Sequence, residues 1–316
     1  MKKNIYSLLP GFSLVAAFIF AVAVKNSRVQ PKAEAPFFFY LLGILLAVYV
    51  VFFILSFFVK EIRKYLELKG PLYAGAILFF NILNIVTAKL GLLPPLYFPS
   101  LDRVVEKLYV DRAFLLKCIL FSFRLLLTGF SIGAAVGFVT GVLLGYSKRF
   151  SYWVAPITRI LGPIPTTAWM PLALSTFPTT FGASVFLIAF TVWFQISLMT
   201  SSGIQSINKS SFEVADTLGA SNLYQILHIA IPGAGPSIFL GFFYGTCSSF
   251  LTLMTAEMVG TSAGIGWYIN NQKSIMCYQG VYAGLILIAV LCSAVLTVLF
   301  KVRAKVLPWE KGVIKW

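Results

Sequence analysis

The sequence predicts an all-α, polytopic membrane protein with about eight transmembrane helices, and three observations carry that reading. Of its 316 residues, 59% are hydrophobic and only 11% charged, whereas about a quarter of a soluble domain is charged. The apolar residues gather into eight stretches near the ~20 residues that a helix needs to cross a bilayer. The basic excess, 25 Lys and Arg against 10 Asp and Glu, sits mostly in the short connectors between those stretches, as expected when positive loops stay on the cytoplasmic side.

The stretches run over residues 8–24, 37–59, 72–92, 115–146, 152–174, 181–204, 232–256 and 278–300. The first follows Met1, Lys2 and Lys3 and has the look of a signal peptide. No small-residue cleavage site follows it, and Lys25 and Arg28 come instead, so it reads as a retained helix. In the fourth stretch Gly129, Gly133, Gly137, Gly141 and Gly145 recur every four residues. That spacing lays a groove along one helix face where another backbone can approach closely. Packing is the reading adopted, with direct substrate contact as the alternative. Pro163, Pro165 and Pro171 interrupt the fifth stretch, removing N–H donors and freeing carbonyls where protein or a cavity must compensate. A moving gate and a fixed kink both fit.

Between the sixth and seventh stretches lies a polar, helix-prone island, residues 208–232. Ser210 and Ser211 stand where they can cap its start, with Glu213 in the first turn, where the helix dipole favours an acid. Ala215 is small enough for another surface to come near the backbone. Gly219 ends or bends the helix, and Pro232 opens the next span at a position where a first turn tolerates it. By these signals alone, an ordinary interfacial loop helix is the alternative.

Lys60, Arg63, Lys64 and Lys69, then Lys148 and Arg149, then Lys301, Arg303, Lys305, Lys311 and Lys315 all fall on one side if the N-terminus is also there. This assigns both termini and the 208–232 island to the cytoplasm. The loop with Lys25, Arg28 and Lys32 lies outside, against the trend. The basic residues form no cluster of the kind that binds nucleic acid. Cys118, Cys247, Cys277 and Cys292 lack CxxC spacing, and the single His228 has no metal-ligand neighbours in sequence, so no disulfide or metal site is expected. No Walker A sequence occurs, so the chain is not expected to hydrolyse ATP. No His/Asp/Glu cluster points to a membrane enzyme.

Several polar residues fall inside or near apolar stretches. Arg124 and Arg159 either face a bundle interior or water, where Arg124 would attract an anion, or snorkel to an interface. Ser248, Thr252 and Thr255 share helical spacing near Glu257. They either line a polar path or bond to their own helix carbonyls. Glu257 is a candidate for the same path or marks the outer end of its helix.

The island carries a family resemblance. Glu213, Ala215, Gly219, Ile229 and Pro232 fall at the spacing of the coupling-loop signature of ABC-importer permeases, with Val214 and Ile231 as apolar departures. Lys89, Pro94, Pro95, Pro99, Ser100, Arg103 and Val104 resemble the nitrate, sulfonate, taurine and bicarbonate branch. So do Pro163, Pro165, Ala168, Pro171 and Leu172, and the run Ala256, Glu257, Met258, Gly260, Gly264 and Gly266. The resemblance covers residues 72–303. It implies a type I ABC importer permease core over residues 71–316, preceded by a two-helix extension, residues 1–70, that the family does not explain.

It further implies a multi-pass subunit of the cell (inner) membrane, embedded in lipid, with no cofactor of its own. ATP and Mg would be bound by separate cytoplasmic ATPase subunits. A second permease subunit and an extracytoplasmic substrate-binding protein would complete the assembly. Glu213, Ala215, Asp216, Gly219, Ala220, Ser221 and Pro232 would meet the ATPase. The implied activity is import of a small anionic or organosulfur nutrient by alternating access. An ion-coupled secondary transporter or channel is the alternative, but its acidic pairs within spans are missing.

Overall fold

The computed structural model describes residues 2–24, 27 and 35–308, with side chains from residue 6 onward in the first helix. Lys25, Arg28, Lys32, Lys311 and Lys315 lie outside the described residues. Among the described residues the regular structure is helical throughout, and seven helices are long and apolar enough to cross a membrane.

The chain divides into two compact units, Met1–Phe114 with Asn271–Ala283, and Leu115–Asn270 with Gly284–Trp316. Residue 70, the boundary drawn from sequence, falls inside a helix of the first unit.

In that unit α1 (Lys2–Ala23) runs antiparallel to α2 (Phe37–Phe58) and parallel to α3 (Lys60–Asn84). The directions follow from contacts at the two ends. The Tyr49 hydroxyl donates to the Ser7 carbonyl at 2.8 Å, and Phe18 and Phe39 rings lie 4.3 Å apart. At Gly70 a Cβ would collide with the Tyr6 carbonyl oxygen. One π-helical turn, Ile85–Lys89, prolongs α3. Lys89 Nζ donates to the carbonyls of Ala21, at 3.0 Å, and Val24, so a cation sits at the negative end of the α1 dipole. Asp102, on α4 (Leu101–Val110), accepts the Phe38 N–H at 2.9 Å. That N–H is one of the orphan donors at the start of α2.

The second unit is built on α5 (Arg112–Tyr146, entering the unit at Leu115), α8 (Thr180–Gln205) and α12 (Gly235–Gly260). The five glycines of α5 lie along α8: Gly129 against Ile188, Gly133 against Ala189 and Val192, Gly137 against Trp193, Gly141 against Ser197 and Thr200, Gly145 against Ile204. A Cβ at Gly141 would stand 2.7 Å from the Thr200 Cβ and 2.9 Å from the Ser197 Cα, so the two backbones meet where no side chain fits. Both partner series ascend, so α5 and α8 are parallel. Gly203 meets Ala234 and Ser237, while Gly245 meets Ile196 and Val192, so α12 is antiparallel to α8. Leu125, Leu126, Ile188, Val192, Ile196, Phe250 and Leu253 fill the core between these helices.

Parallel neighbours need a connection that returns the chain to its starting side. The fifth apolar segment, residues 152–174, serves as that return, but it is not one helix. It is divided into α6 (Lys148–Leu161), a 3₁₀ turn Thr166–Trp169 and α7 (Met170–Thr176). The cause is local: Pro163 and Pro165 donate no N–H, and the Ile164 N–H turns back to the Leu161 carbonyl at 3.2 Å. Beyond α8 come α9 (Lys209–Thr217), α10 (Asn222–Gln225), a π turn Ile226–Ala230 and α11 (Ile231–Gly233), which leads into α12. After α12 come α13 (Ile265–Ser274) and α14 (Tyr278–Val306), and Leu307 returns to pack on Gly235.

Candidate functional site

Two places in the second unit bring polar residues together. The first is the segment from Asn208 to Pro232. Its cap is Asn208, whose side chain accepts the Ser210 N–H at 3.2 Å. Ser210 and Ser211 therefore lie inside the first turn and Glu213 just beyond it, because the cap falls ahead of the serines. Gly219 stands past the end of α9 at φ +75°, in the left-handed region that L side chains resist. Its N–H reaches the Asp216 carbonyl at 3.0 Å and the Ala220 N–H reaches the Ala215 carbonyl at 2.9 Å, closing the helix end. Ser221 then caps α10, accepting the Tyr224 N–H at 3.3 Å. Pro232 lies near the start of α11, directly after the π turn.

A residue that no sequence motif singles out ties these turns together. Gln225 is buried. Its Nε2 donates to Asp216 Oδ1 at 2.6 Å and to the Ala220 carbonyl at 3.2 Å. The Tyr146 hydroxyl, at the end of α5, donates to Gln225 Oε1 at 3.1 Å. The α9–α10 corner is thus bonded to the end of α5, whose glycines grip α8. A displacement of the corner has a bonded route into the membrane helices.

Outward, the corner carries a groove of about 600 Å³ lined by Val214, Ala215, Leu218, Gly219, Tyr224 and Ile229, among others. Ala215 is its buried floor, while Leu218 is 82% and Leu223 66% exposed. Leucines this exposed on a polar segment suit a protein partner. Beside it, a larger opening of about 920 Å³ is flanked by Lys148, Arg159, Lys209, Glu213 and Asp216. Arg159 thus joins the polar end of the unit.

The second place is a cleft of about 340 Å³ at mid-height of α8 and α12, against the break between α6 and α7. Ser248, Thr252 and Thr255 line it, with Thr166 from the break and Thr191 and Gln195 from α8. The hydroxyls form a chain across the three elements, Thr166 to Thr191 at 2.7 Å and Thr191 to Thr252 at 3.1 Å. Thr255 bonds the Thr252 carbonyl of its own helix at 3.0 Å. At Gly162 a Cβ would collide with the Phe194 ring, so glycine is what lets the broken segment close on α8.

Two sequence candidates stand apart from the cleft. Arg124 is exposed with its guanidinium 5.4 Å from the centre of the Phe181 ring. Glu257 is fully buried near the end of α12. It accepts from the Ser122 hydroxyl at 2.6 Å and the Gly266 N–H at 2.7 Å, and Ser122 in turn accepts the Ile265 N–H at 2.9 Å. The carboxylate therefore joins α12 to α5 and to the start of α13. At Gly264, φ +115°, a Cβ would collide with that carboxylate. Among the described residues no group of three His, Cys, Asp or Glu is placed to hold a metal.

Stacked apolar helices, a broken crossing and an exposed polar corner define a multi-pass helical membrane protein. Residues 133–307 match the binding-protein-dependent transport system inner membrane component family, and the chain belongs to that family. It is 31% identical over 184 residues to the putative aliphatic sulfonates transport permease protein SsuC of Bacillus subtilis (strain 168), covering 58% of this chain and 67% of that protein. It is 28% identical over 260 residues to a putative ABC transporter permease protein of Methanocaldococcus jannaschii, covering 80% and 96%. With the taurine transport system permease protein TauC of Escherichia coli (strain K12) it shares 24% over 231 residues, covering 71% and 84%. Among solved structures, a chain of the inward-facing MetNI methionine ABC transporter superposes with TM-score 0.53 at 17% identity, covering 62% of this chain and 97% of that one, a likeness of fold.

Proposed function

We propose that the chain is the membrane subunit of an importer that moves a small anionic or organosulfur nutrient by alternating access, driven by a separate ATPase that docks on the α9–α10 corner. The observation that carries this reading is the corner itself. An apolar groove floored by Ala215 and rimmed by the exposed Leu218 is bonded through Gln225 and Tyr146 to the end of α5. ATP and Mg belong to that ATPase; this chain contributes the surface that receives the stroke. A second permease subunit and an external substrate-binding protein complete the assembly, by analogy with the relatives' class. Crossing counts support a cytoplasmic corner. From an inside N-terminus, α1, α2 and α3 leave the chain outside, α5 returns it, the broken segment and α8 cross again, and α9 lies inside. The basic residues at 60–69, which the structure places in the first turns of α3 rather than in a connector, and at 148–149, at the start of α6, then fall on the same side. The helices α1 and α2 are an added helical module docked through Lys89 and Asp102.

The test is Ala215→Glu in the complex reconstituted with its ATPase. Membrane insertion is retained, and substrate-stimulated ATP hydrolysis is lost, because a charged side chain fills the groove floor. Stimulation at the wild-type level would remove this corner from the ATPase interface.

A further inference from the structure

We infer that the opening between α6 and α9 holds the headgroup of an anionic phospholipid, with the lipid phosphate at the two helix starts that face it. Such a site requires only that the chain spans a membrane and is independent of how transport is coupled. The opening, about 920 Å³, lies wholly within the second unit. Lys148 is the first residue of α6 and Lys209 the first residue of α9, and both line it. A cation there is opposed by the positive end of its own helix dipole, and neither first turn carries an acid to offset it. Arg159, in the last turn of α6, adds a third cation. Among the described residues none of the three takes part in an ion pair. Glu213 and Asp216 also line the opening, but Asp216 Oδ1 accepts from Gln225 at 2.6 Å. No Asp or Glu occurs from Arg112 to Phe212, so the wall built by α6 and the end of α5 is free of acids. Two unpaired lysines on two helix N-termini are an arrangement that an anion from outside the chain stabilises.

The neighbouring face of α6 indicates where that anion comes from. Trp153, Ile157 and Ile160 recur at helical spacing and are 74%, 52% and 69% exposed, an apolar stripe suited to acyl chains. Tyr152 stands at the boundary: it lines the opening, and its ring lies 5.2 Å from that of Trp153. A basic helix face beside an apolar one, with Trp and Tyr at the junction, is the pattern of an element at the membrane–water interface. A soluble phosphate gains nothing from the stripe, whereas a phospholipid meets the cations and the stripe at once. Basic pockets among membrane helices take anionic headgroups in this way.

The test uses the full chain, purified in detergent and stripped of lipid, with equimolar dioleoyl phosphatidylglycerol and dioleoyl phosphatidylcholine added. Native mass spectrometry gives the ratio of the two lipids retained. Phosphatidylglycerol is expected in excess by about tenfold or more, since each Lys or Arg contributes roughly fivefold near an anionic surface. Lys148→Gln combined with Lys209→Gln is expected to lower that ratio by about fivefold or more, and Lys148→Arg with Lys209→Arg to keep it. Lys117→Gln with Arg124→Gln, which removes the same charge from the first half of α5, is expected to keep it as well. Because both lysines oppose their helix dipoles, the Lys148/Lys209 glutamine variant is expected to be at least as heat-stable as wild type without lipid. Added phosphatidylglycerol is expected to raise the melting temperature of wild type only. Equal retention of both lipids by wild type, an unchanged ratio in that glutamine variant, or an equal loss in the Lys117/Arg124 variant overturns the inference. So does displacement of the lipid by glycerol 3-phosphate at equal concentration, which would make this a site for a soluble anion. None of these readings involves the ATPase, so they stand whatever Ala215→Glu shows.

Discussion

The corner at α9–α10 and the cleft at mid-height of α8 and α12 belong to one compact unit but present opposite chemistry. The corner exposes leucines beside Glu213 and Asp216 and is held from behind by a buried glutamine. The cleft exposes uncharged hydroxyls between phenyl rings. A surface meant for a protein partner gains from large apolar anchors with a polar rim. Between corner and cleft runs the α5–α8 contact, where five glycines bring backbones together, so the two regions are joined through close-packed helices rather than through soft side chains.

Substitutions can break that division of labour, and the largest effect is expected at the link. Gly141→Leu places a branched side chain where even a Cβ stands 2.7 Å from Thr200. Overpacking of this kind costs about 1–3 kcal/mol or more, and both regions are expected to fail together, with detergent-solubilised protein losing its monodisperse peak. A protein that stays monodisperse would show that α5 and α8 are not rigidly joined.

Next comes the corner alone. Leu218→Asp replaces a side chain that is 82% exposed, so the fold is retained while capture of the ATPase weakens about tenfold or more, as for a central interface anchor. Pull-down from membranes gives the comparison, and undiminished capture would move the docking surface away from α9. Asn208→Ala removes the α9 cap and is expected to cost about 1 kcal/mol. Amide exchange restricted to 209–217 would report it, and exchange that does not change would place the helix start elsewhere.

The smallest effect is expected at Arg124. Exposed and stacked on Phe181, it contributes about 0.5–1 kcal/mol as a surface cation–π contact. Arg124→Gln is then expected to alter uptake by about twofold, equally for anionic and neutral solutes. A loss confined to anions would return this arginine to the translocation path and weaken the distinction between a neutral cleft and a charged rim.

The local geometry of the α9–α10 corner was legible because its parts are near neighbours in the chain. Ala215, Gly219, Ser221 and Pro232 lie within one short segment, and each acts through a local rule: small side chain, left-handed turn, cap, first-turn proline. Even there Asn208 was missed, because Asn208, Ser210 and Ser211 can each cap a helix and only backbone geometry chooses among them. Gln225 and Tyr146 were missed because neither side chain has a spacing that betrays a partner 79 residues away.

The sequence by itself determined the helical, membrane-spanning class, the break in the fifth apolar segment and the glycine face of α5. Hydrophobic length, missing proline donors and fourfold spacing are properties of the chain as written. Only the tertiary structure decided what those features meet. The glycine face packs on α8, Glu257 binds Ser122 and the α13 backbone rather than lining the cleft, and Arg124 turns to Phe181. The cleft is assembled from residues 161–167, 190–195 and 248–255. Segments that far apart along the chain become one site only through the antiparallel packing of α8 and α12 and the closure of the broken segment on α8 at Gly162, and no local propensity encodes it.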